Sequence, residues 1–515
     1  MRIQNSLKNI FFGLSGQFIS ILMGFIVRTI FIYTLGIEYL GVEGLFTSIL
    51  MMLSLANLGF DTAMIYSLYK PLAEKDTYRI QALMNLYRRA YRLIGVIVLL
   101  IGLSILPFLP YLINGETTID HIHVIYLLFL VNSVSSYYFI YKQAIIIADQ
   151  RNHIISKIHS VFIISSNILQ IMLLLGTGNY IVVLAAQIIF RISENVYIAK
   201  RADKLYPYLK VKNDAALSKD EKKLFFENLY ALLLYRISGI VINGTDNIVI
   251  SIFIGVTAVG MYSNYLLIMT TLTTFIGYIF YSITASVGNL HVKENAEKKY
   301  FIFRVLYFAN FWIYGFCAVC LWNLLNPVIM LWIGEQFVFS QFIVFSIVLN
   351  FFSAGMQTAS TTFRDTTGLF KKGKYRPIIA AFINIGVSII LVNKIGIAGV
   401  FLGTVISRLC TYFWYDPYVV FKYVFQKSVK VYFVRYAWSV LIVFIAAVLT
   451  DTLAGIFNEN MLINIGIRTV LCLTIPNILF FIIFRKSEEF KYLWNIVSSL
   501  TSNIPSKLLK KAYHA

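Results

Sequence analysis

The sequence predicts an all-α polytopic membrane protein whose chain crosses the bilayer about fourteen times. Three features predict it: the apolar excess, the length of the apolar runs and the side on which the cations fall. Of 515 residues, 59% are hydrophobic and only 13% are charged, against ~45–50% and ~25% in an ordinary soluble domain. The apolar runs are ~20 residues long and unbroken, the length of a spanning helix. Ten-residue alternating segments, the mark of a membrane β-barrel, are missing. Phe and Tyr are abundant, at 42 and 34, which suits interfacial rings and an aromatic-lined interior.

Spans are expected near residues 10–34, 41–62, 91–113, 122–147, 154–176, 179–199, 229–254, 258–286, 300–325, 338–363, 376–393, 397–416, 431–450 and 461–484. The segment from Met1 to Asn9 carries Arg2 and Lys8 and runs straight into apolar sequence without a small-residue cleavage site, so the first span is expected to be uncleaved. The short turns Gly176–Asn179 and Gly255–Thr257 make hairpins of the spans that flank them.

Charge fixes the expected orientation. The net charge of +20 could suggest nucleic acid, but the cations sit in short loops between apolar runs. With a cytoplasmic N-terminus, 38 of the 44 Lys and Arg residues fall on the inside and one, Lys394, falls outside. The outer loops are acidic instead, at Glu38, Glu116, Asp120, Glu335, Asp451 and Glu459. This is the positive-inside pattern of a bacterial inner-membrane protein with both termini cytoplasmic and an even number of spans. The remaining five cations, Arg28, Arg191, Arg236, Arg408 and Arg468, lie within spans.

The chain repeats itself. Leu35–Gly41 (LGIEYLG) matches Ile254–Gly260 (IGVTAVG) at an offset of 219, and Asn167–Arg191 matches Asn384–Arg408 without a gap at an offset of 217. Each repeated turn joins spans of the same direction, so the repeat is parallel. The expected organisation is an N-lobe over residues 1–200, a cytoplasmic linker over 201–228, a C-lobe over 229–428, and two extra helices with a tail over 429–515. Two six-helix lobes around a central cavity are a transporter design, with the site where the lobes meet.

Polar residues within spans mark the cavity. In the first span Gly13, Gln17, Ser20, Gly24 and Arg28 share one stripe; in the seventh, Arg236, Gly239, Asn243, Asp246 and Asn247 form its counterpart. At the repeat offset Gln17 aligns with Arg236, and Arg28 with Asn247. The second span adds Thr47, Ser54, Asn57 and Asp61. A charged side chain facing lipid at mid-bilayer costs at least ~2.5–3.5 kcal/mol, so these faces should line water. Arg28 and Arg236 are the candidate anion contacts, because a guanidinium grips phosphate with a planar fork; structurally, Arg236 could instead pair with Asp246 or Asp61. Gln17, Asn243, Asn247 and Tyr278 are the candidate polar contacts, Tyr278 with the hydroxyls and rings of Tyr262, Thr270, Thr274 and Tyr281 on a face suited to a sugar. Asp246 and Asp61 are the candidates for ion coupling. Arg191 and Arg408, near the inner ends of their spans, suit an interfacial or salt-bridge role, with Glu194 one turn from Arg191.

Nothing points to catalysis, a cofactor or a metal. A Walker A sequence, a G-x-S-x-G elbow and an H-E-x-x-H pair are all missing, and the six histidines are scattered. Cys317 and Cys320 form a C-x-x-C in a lipid-like context, alongside Cys410 and Cys472, and packing explains all four.

The stretch from Thr34 to Asp76, TLGIEYLGVEGLFTSILMMLSLANLGFDTAMIYSLYKPLAEKD, resembles the polysaccharide-transporter (Wzx-type) flippases of the multidrug/oligosaccharidyl-lipid/polysaccharide (MOP) exporter superfamily. Tyr141-Lys142, Ala148-Asp149-Gln150 and Ile395-Gly396-Ile397-Ala398-Gly399 extend the likeness, which covers the full length. The resemblance implies movement of an undecaprenyl-pyrophosphate-linked glycan from the cytoplasmic to the outer leaflet, for capsule, O-antigen or exopolysaccharide. It implies membrane lipid as a partner and association with a polysaccharide polymerase and glycosyltransferases, with no role for nucleic acid. Lipid II flipping for peptidoglycan and cation-coupled drug export are the alternatives within that superfamily. A membrane glycosyltransferase would need a larger domain outside the bilayer than these loops provide.

Overall fold

In the computed structural model the backbone is described for residues 2–54, 60–114, 119–211, 215–373, 375–457 and 460–502, and side chains for most of these. Every regular element among the described residues is helical. The helices run α1 Arg2–Leu35, α2 Ile37–Leu53, α3 Phe60–Glu74, α4 Thr77–Ile105, α5 Leu109–Leu112, α6 Ile122–Tyr137, α7 Tyr141–Ala148, α8 Asn152–Thr177, α9 Tyr180–Leu205 and α10 Lys219–Phe253. They continue with α11 Val256–Lys293, α12 Ala296–Ile333, α13 Gln341–Gly355, α14 Thr358–Thr366, α15 Arg376–Ile395, α16 Ile397–Val420, α17 Lys430–Gly455, α18 Met461–Phe484 and α19 Glu488–Ser502.

Among the described residues eleven helices are long and apolar enough to cross a membrane, and a twelfth forms if the bent pair α6–α7 is one span. With α2, 17 residues long, and α10 added, the count is consistent with fourteen. This is a multi-pass membrane protein. Exposed Leu93, Leu100, Leu441 and Phe444 give its helices the apolar outer faces that lipid requires. Several boundaries differ from the hydropathy reading. Helix α4 begins at Thr77, fourteen residues before the span expected there, because Asp76 caps it by accepting from the Arg79 N–H at 2.9 Å.

The chain forms two compact units: residues 1–266 with 377–400, and residues 267–376 with 401–515. Unit 1 contains the repeated turns. Gly36 and Gly255 end the helices before α2 and α11 with φ of +91° and +127°, backbone that residues with a Cβ rarely adopt. Beyond these turns α2 and the start of α11 touch through glycines: a Cβ on Gly41 would overlap the Val256 carbonyl, and one on Gly260 would overlap the Ile37 carbonyl. Unit 2 centres on α12, which packs against α13, α14, α17, α18 and α19. Its aromatic core joins Phe303, Phe363, Phe421 and Phe425 at centroid distances of 5.1–5.5 Å.

Unit 2 also buries charge. Arg364 Nη1 donates to both oxygens of Asp416, at 2.9 and 2.8 Å, and Arg376 donates to the same carboxylate. The Arg376 guanidinium lies over the Tyr412 and Tyr415 rings, at 4.5 and 4.9 Å. In unit 1 the stretch between α9 and α10 is tied down by side chains of α4: Gln81 donates to the Tyr208 carbonyl and Asn85 to that of Ala215, while Arg79 pairs with Glu221 at 2.8 Å. The Tyr206 hydroxyl donates to Asp149 at 2.7 Å, and burial together with that carboxylate pushes its phenol up. Burial, then Asp149, pushes Tyr208 up to about 12.

Candidate functional site

Unit 1 holds a concave pocket of about 630 Å³ walled by α2, α6, α8 and α9, within the size range of small-molecule sites. Four apolar helices contribute polar residues. Thr47 and Ser54 come from α2, Asn132, Ser133 and Ser136 from α6, and His159 and Ser166 from α8; α9 adds Gln187, Arg191 and Glu194 at intervals of four and three, one side of a helix. Phe129, Phe162 and Phe190 supply rings.

The polar groups are held in place by one another. Gln187 donates to Gln170 at 2.9 Å and Gln170 to Ser166 at 3.0 Å, a relay that ends on the wall. The Tyr137 hydroxyl donates to Ser54 at 3.0 Å. His159 Nδ1 and Glu194 Oε1 share a hydrogen bond of 2.7 Å, with the carboxyl largely buried and the imidazole half exposed. Two groups stand apart. The Asn132 Oδ1 is buried without a hydrogen-bond partner, and Arg191, exposed on the wall, makes no hydrogen bond or ion pair among the described residues. A buried acceptor without a donor is costly, and a guanidinium without a carboxylate leaves its charge for whatever enters.

The internal repeat shows what this pair does when it closes. Arg191 corresponds to Arg408, and Asn132 stands 218 residues before Asn350, within one residue of the repeat offset. In unit 2 Arg408 Nη1 donates to Asn350 Oδ1 at 2.8 Å, to its carbonyl at 3.1 Å and to Ser353 Oγ at 2.8 Å. The same arginine–asparagine pair is therefore closed in one repeat and open onto a pocket in the other.

The residues singled out from sequence are placed as follows. Thr47 and Ser54 line the pocket. Arg28 does not; it lies within electrostatic range of Glu43 and Tyr180. Gln17 is half-buried beside Gly16, where α1 meets α8 so closely that a Gly16 Cβ would stand 2.5 Å from Ser160 Oγ. Asn247 is buried and donates to Ser48 Oγ at 3.0 Å and the Gly44 carbonyl at 3.4 Å, which locks α10 on α2. Asp246 is buried within electrostatic range of Tyr262. Tyr278, in unit 2, is exposed. The side chains of Arg236, Asn243, Asp61, Asn57 and Tyr281, and residues Glu116 and Glu459, lie outside the described residues.

Two expectations are corrected. Glu194 pairs with His159 on α8 rather than with Arg191, because two α9 side chains three apart need not meet when a neighbouring helix offers a partner. Arg191 itself is a wall residue rather than half of a salt bridge. Arg468 is spent on Asn464, at 2.7 Å, and Asp451, at 3.2 Å. Sequence reasoning missed Asn132, Ser133, Ser136 and His159. The run Asn132-Ser133-Val134-Ser135-Ser136 inside an apolar span was the available signal.

The fold is shared with solved transporters. The lipid II flippase MurJ in an inward closed conformation superposes with a TM-score of 0.61 at 17% identity, covering 92% of this chain and 99% of that one. An inward-facing multidrug resistance MATE family transporter of the MOP superfamily gives 0.57 at 16%, covering 78% and 94%. This chain shares the fold of these transporters. A variant of the Vibrio cholerae MATE transporter VcmN matches at 0.55 and 13%, covering 83% of this chain and 99% of that one. No family model and no curated protein matches the sequence.

Proposed function

We propose that the chain is a flippase that carries undecaprenyl-pyrophosphate-linked oligosaccharide repeat units across a bacterial cytoplasmic membrane, with both termini on the cytoplasmic side. One observation carries the reading: Arg191, without a partner among the described residues, stands on the wall of a polar pocket, while the repeat-related Arg408 donates to Asn350 and Ser353. A diphosphate head needs a cation that is not already neutralised. The serines and the unpaired Asn132 oxygen suit sugar hydroxyls and amides, and the rings suit sugar faces. The apolar tail stays in lipid, so only the head crosses through protein. A membrane potential negative inside favours outward movement of such a head by ~2.3 kcal/mol per charge per 100 mV. Arg28 and Arg236 are further proposed cationic contacts, and Asp246 and Asp61 the proposed ion-coupling carboxylates. The polymerase and glycosyltransferases of the same polysaccharide are the proposed partners.

Lipid II is the second reading. The lipid II flippase superposition takes in more of this chain than the MATE superpositions do, and its ligand has the same diphosphate chemistry. The test is reconstitution into liposomes with either lipid-linked oligosaccharide, lipid II or a cationic drug, followed by leaflet accessibility or uptake. Flipping of the oligosaccharide carrier, at least tenfold reduced by Arg191→Ala, is expected. Flipping of lipid II alone moves the assignment to peptidoglycan, and drug transport alone overturns both.

A further inference from the structure

His159 has no task in the reading above, yet its hydrogen bond is placed to make the pocket's charge variable. The bond between Nδ1 and Glu194 is 2.7 Å long, and it holds one proton whichever atom carries it. Nε2 is then the nitrogen left to bind another, and the imidazole is half exposed in the pocket wall. Arg191 stands one helical turn before Glu194 on the same wall. With one proton in the pair, the charges of Arg191, Glu194 and His159 cancel. With a second, the set carries +1.

We propose that binding of a diphosphate-type anion at Arg191 is linked to uptake of one proton by His159. The inference rests on the anion-binding reading of this pocket. The proton comes from bulk water and binds at Nε2; no other bond forms or breaks. An imidazole changes charge within the physiological pH range, and an anion arriving beside it favours the charged form. By reciprocity the proton strengthens anion binding by the same factor. Glu194 is the positioning residue: it fixes the ring and compensates the imidazolium when the pocket is empty.

No other described charge facing the pair competes for this role. The titratable side chains on the pocket wall besides the pair are Arg191 of α9 and Tyr137 of α6. Of the elements packed on α8 and α9, α7 brings Lys142, which is tied to Asp203 at 2.6 Å. Asp149, just beyond α7, is bound to Arg151 and to Tyr206. On α1, Arg28 lies in the range of Glu43 and Tyr180 and off the pocket wall. His153 and Lys157 of α8 itself do not line the pocket.

The test uses the full chain in lipid nanodiscs and P1,P2-dimethyl diphosphate, a diester whose own charge stays constant over the range studied. Binding is followed calorimetrically in buffers of different ionisation heat, from about pH 5.5 to about pH 8. Wild-type protein is expected to take up one proton per anion and to bind up to about tenfold more tightly per unit fall in pH. His159→Gln is expected to bind without proton uptake. Arg191-dependent binding by the wild type without proton uptake overturns this inference and leaves the pocket's function intact. Wild-type protein that does not bind the anion, or an Arg191→Ala protein that binds it equally well, overturns the function and the inference together. If His159→Gln does not fold, the wild-type proton count decides alone.

Discussion

Gly41 and Gly260 meet reciprocally. A Cβ built on Gly41 would overlap the Val256 carbonyl and stand 3.2 Å from the Gly260 nitrogen; one built on Gly260 would overlap the Ile37 carbonyl and stand 3.1 Å from the Gly41 nitrogen. Residues 37 and 256, like 41 and 260, are separated by the repeat offset of 219. Each glycine therefore touches the partner of its partner's neighbour, the self-complementary pattern of a two-fold contact.

The closeness of that contact sets the first prediction. Gly41→Ala and Gly260→Ala place a methyl group against backbone, which cannot rotate away. Each is expected to destabilise the protein by about 1–3 kcal/mol, the usual cost of overpacking. Because the two sites share one contact, the double variant should fall short of the sum. Thermal unfolding in detergent reads this; wild-type melting of both single variants would refute the contact.

Arg191 and Arg408 should separate function from stability. Arg408→Ala removes three hydrogen bonds in unit 2, and each bond to a charged group contributes about 1.5–3 kcal/mol, so the variant should melt well below wild type. Arg191→Ala removes no hydrogen bond or ion pair among the described residues and should melt within about 0.5 kcal/mol of wild type while flipping falls at least tenfold. Equal melting of the two variants would contradict the difference between the repeats.

Asp416 carries two arginines at once. Asp416→Ala strands Arg376 in the interior and takes from Arg364 one of its two carboxylates, leaving it Asp365, and removing one partner of a buried ion pair costs about 3–5 kcal/mol. Loss of folded protein, partly restored when Arg376→Met is added to relieve the orphaned charge, is the expected result in a fluorescence size-exclusion assay.

The start of α10 is sensitive to acid. The Ser218 backbone N–H, then its hydroxyl and the charge of Arg79, hold the Glu221 carboxyl below its ordinary range. A depressed carboxyl contributes stability that is fully present above its unfolded value, about 4.3, and is lost as pH falls through the folded one. Hydrogen exchange in the first turn of α10, taken relative to the intrinsic rate at each pH, should therefore quicken below about pH 4. Ser218→Ala, which removes the capping box, should quicken it already at neutral pH, by the equivalent of about 0.5–2 kcal/mol.

The sequence by itself determined the membrane class, the helical content and the repeat. Each of these is written in neighbouring residues: twenty apolar positions in a row, a motif such as Leu35–Gly41 recurring at Ile254–Gly260. The same local view pointed to Thr47 and Ser54, because two hydroxyls on one face of an apolar helix are visible one-dimensionally. Only the tertiary structure decided which arginine is open. Arg191 and Arg408 are equivalent in sequence, and what separates them is whether Asn350 and Ser353, 58 and 55 residues away on another helix, come within hydrogen-bond distance. His159 and Glu194, 35 residues apart, were brought together in the same way. A charge buried in a membrane must find a partner or water, and that choice depends on how helices pack.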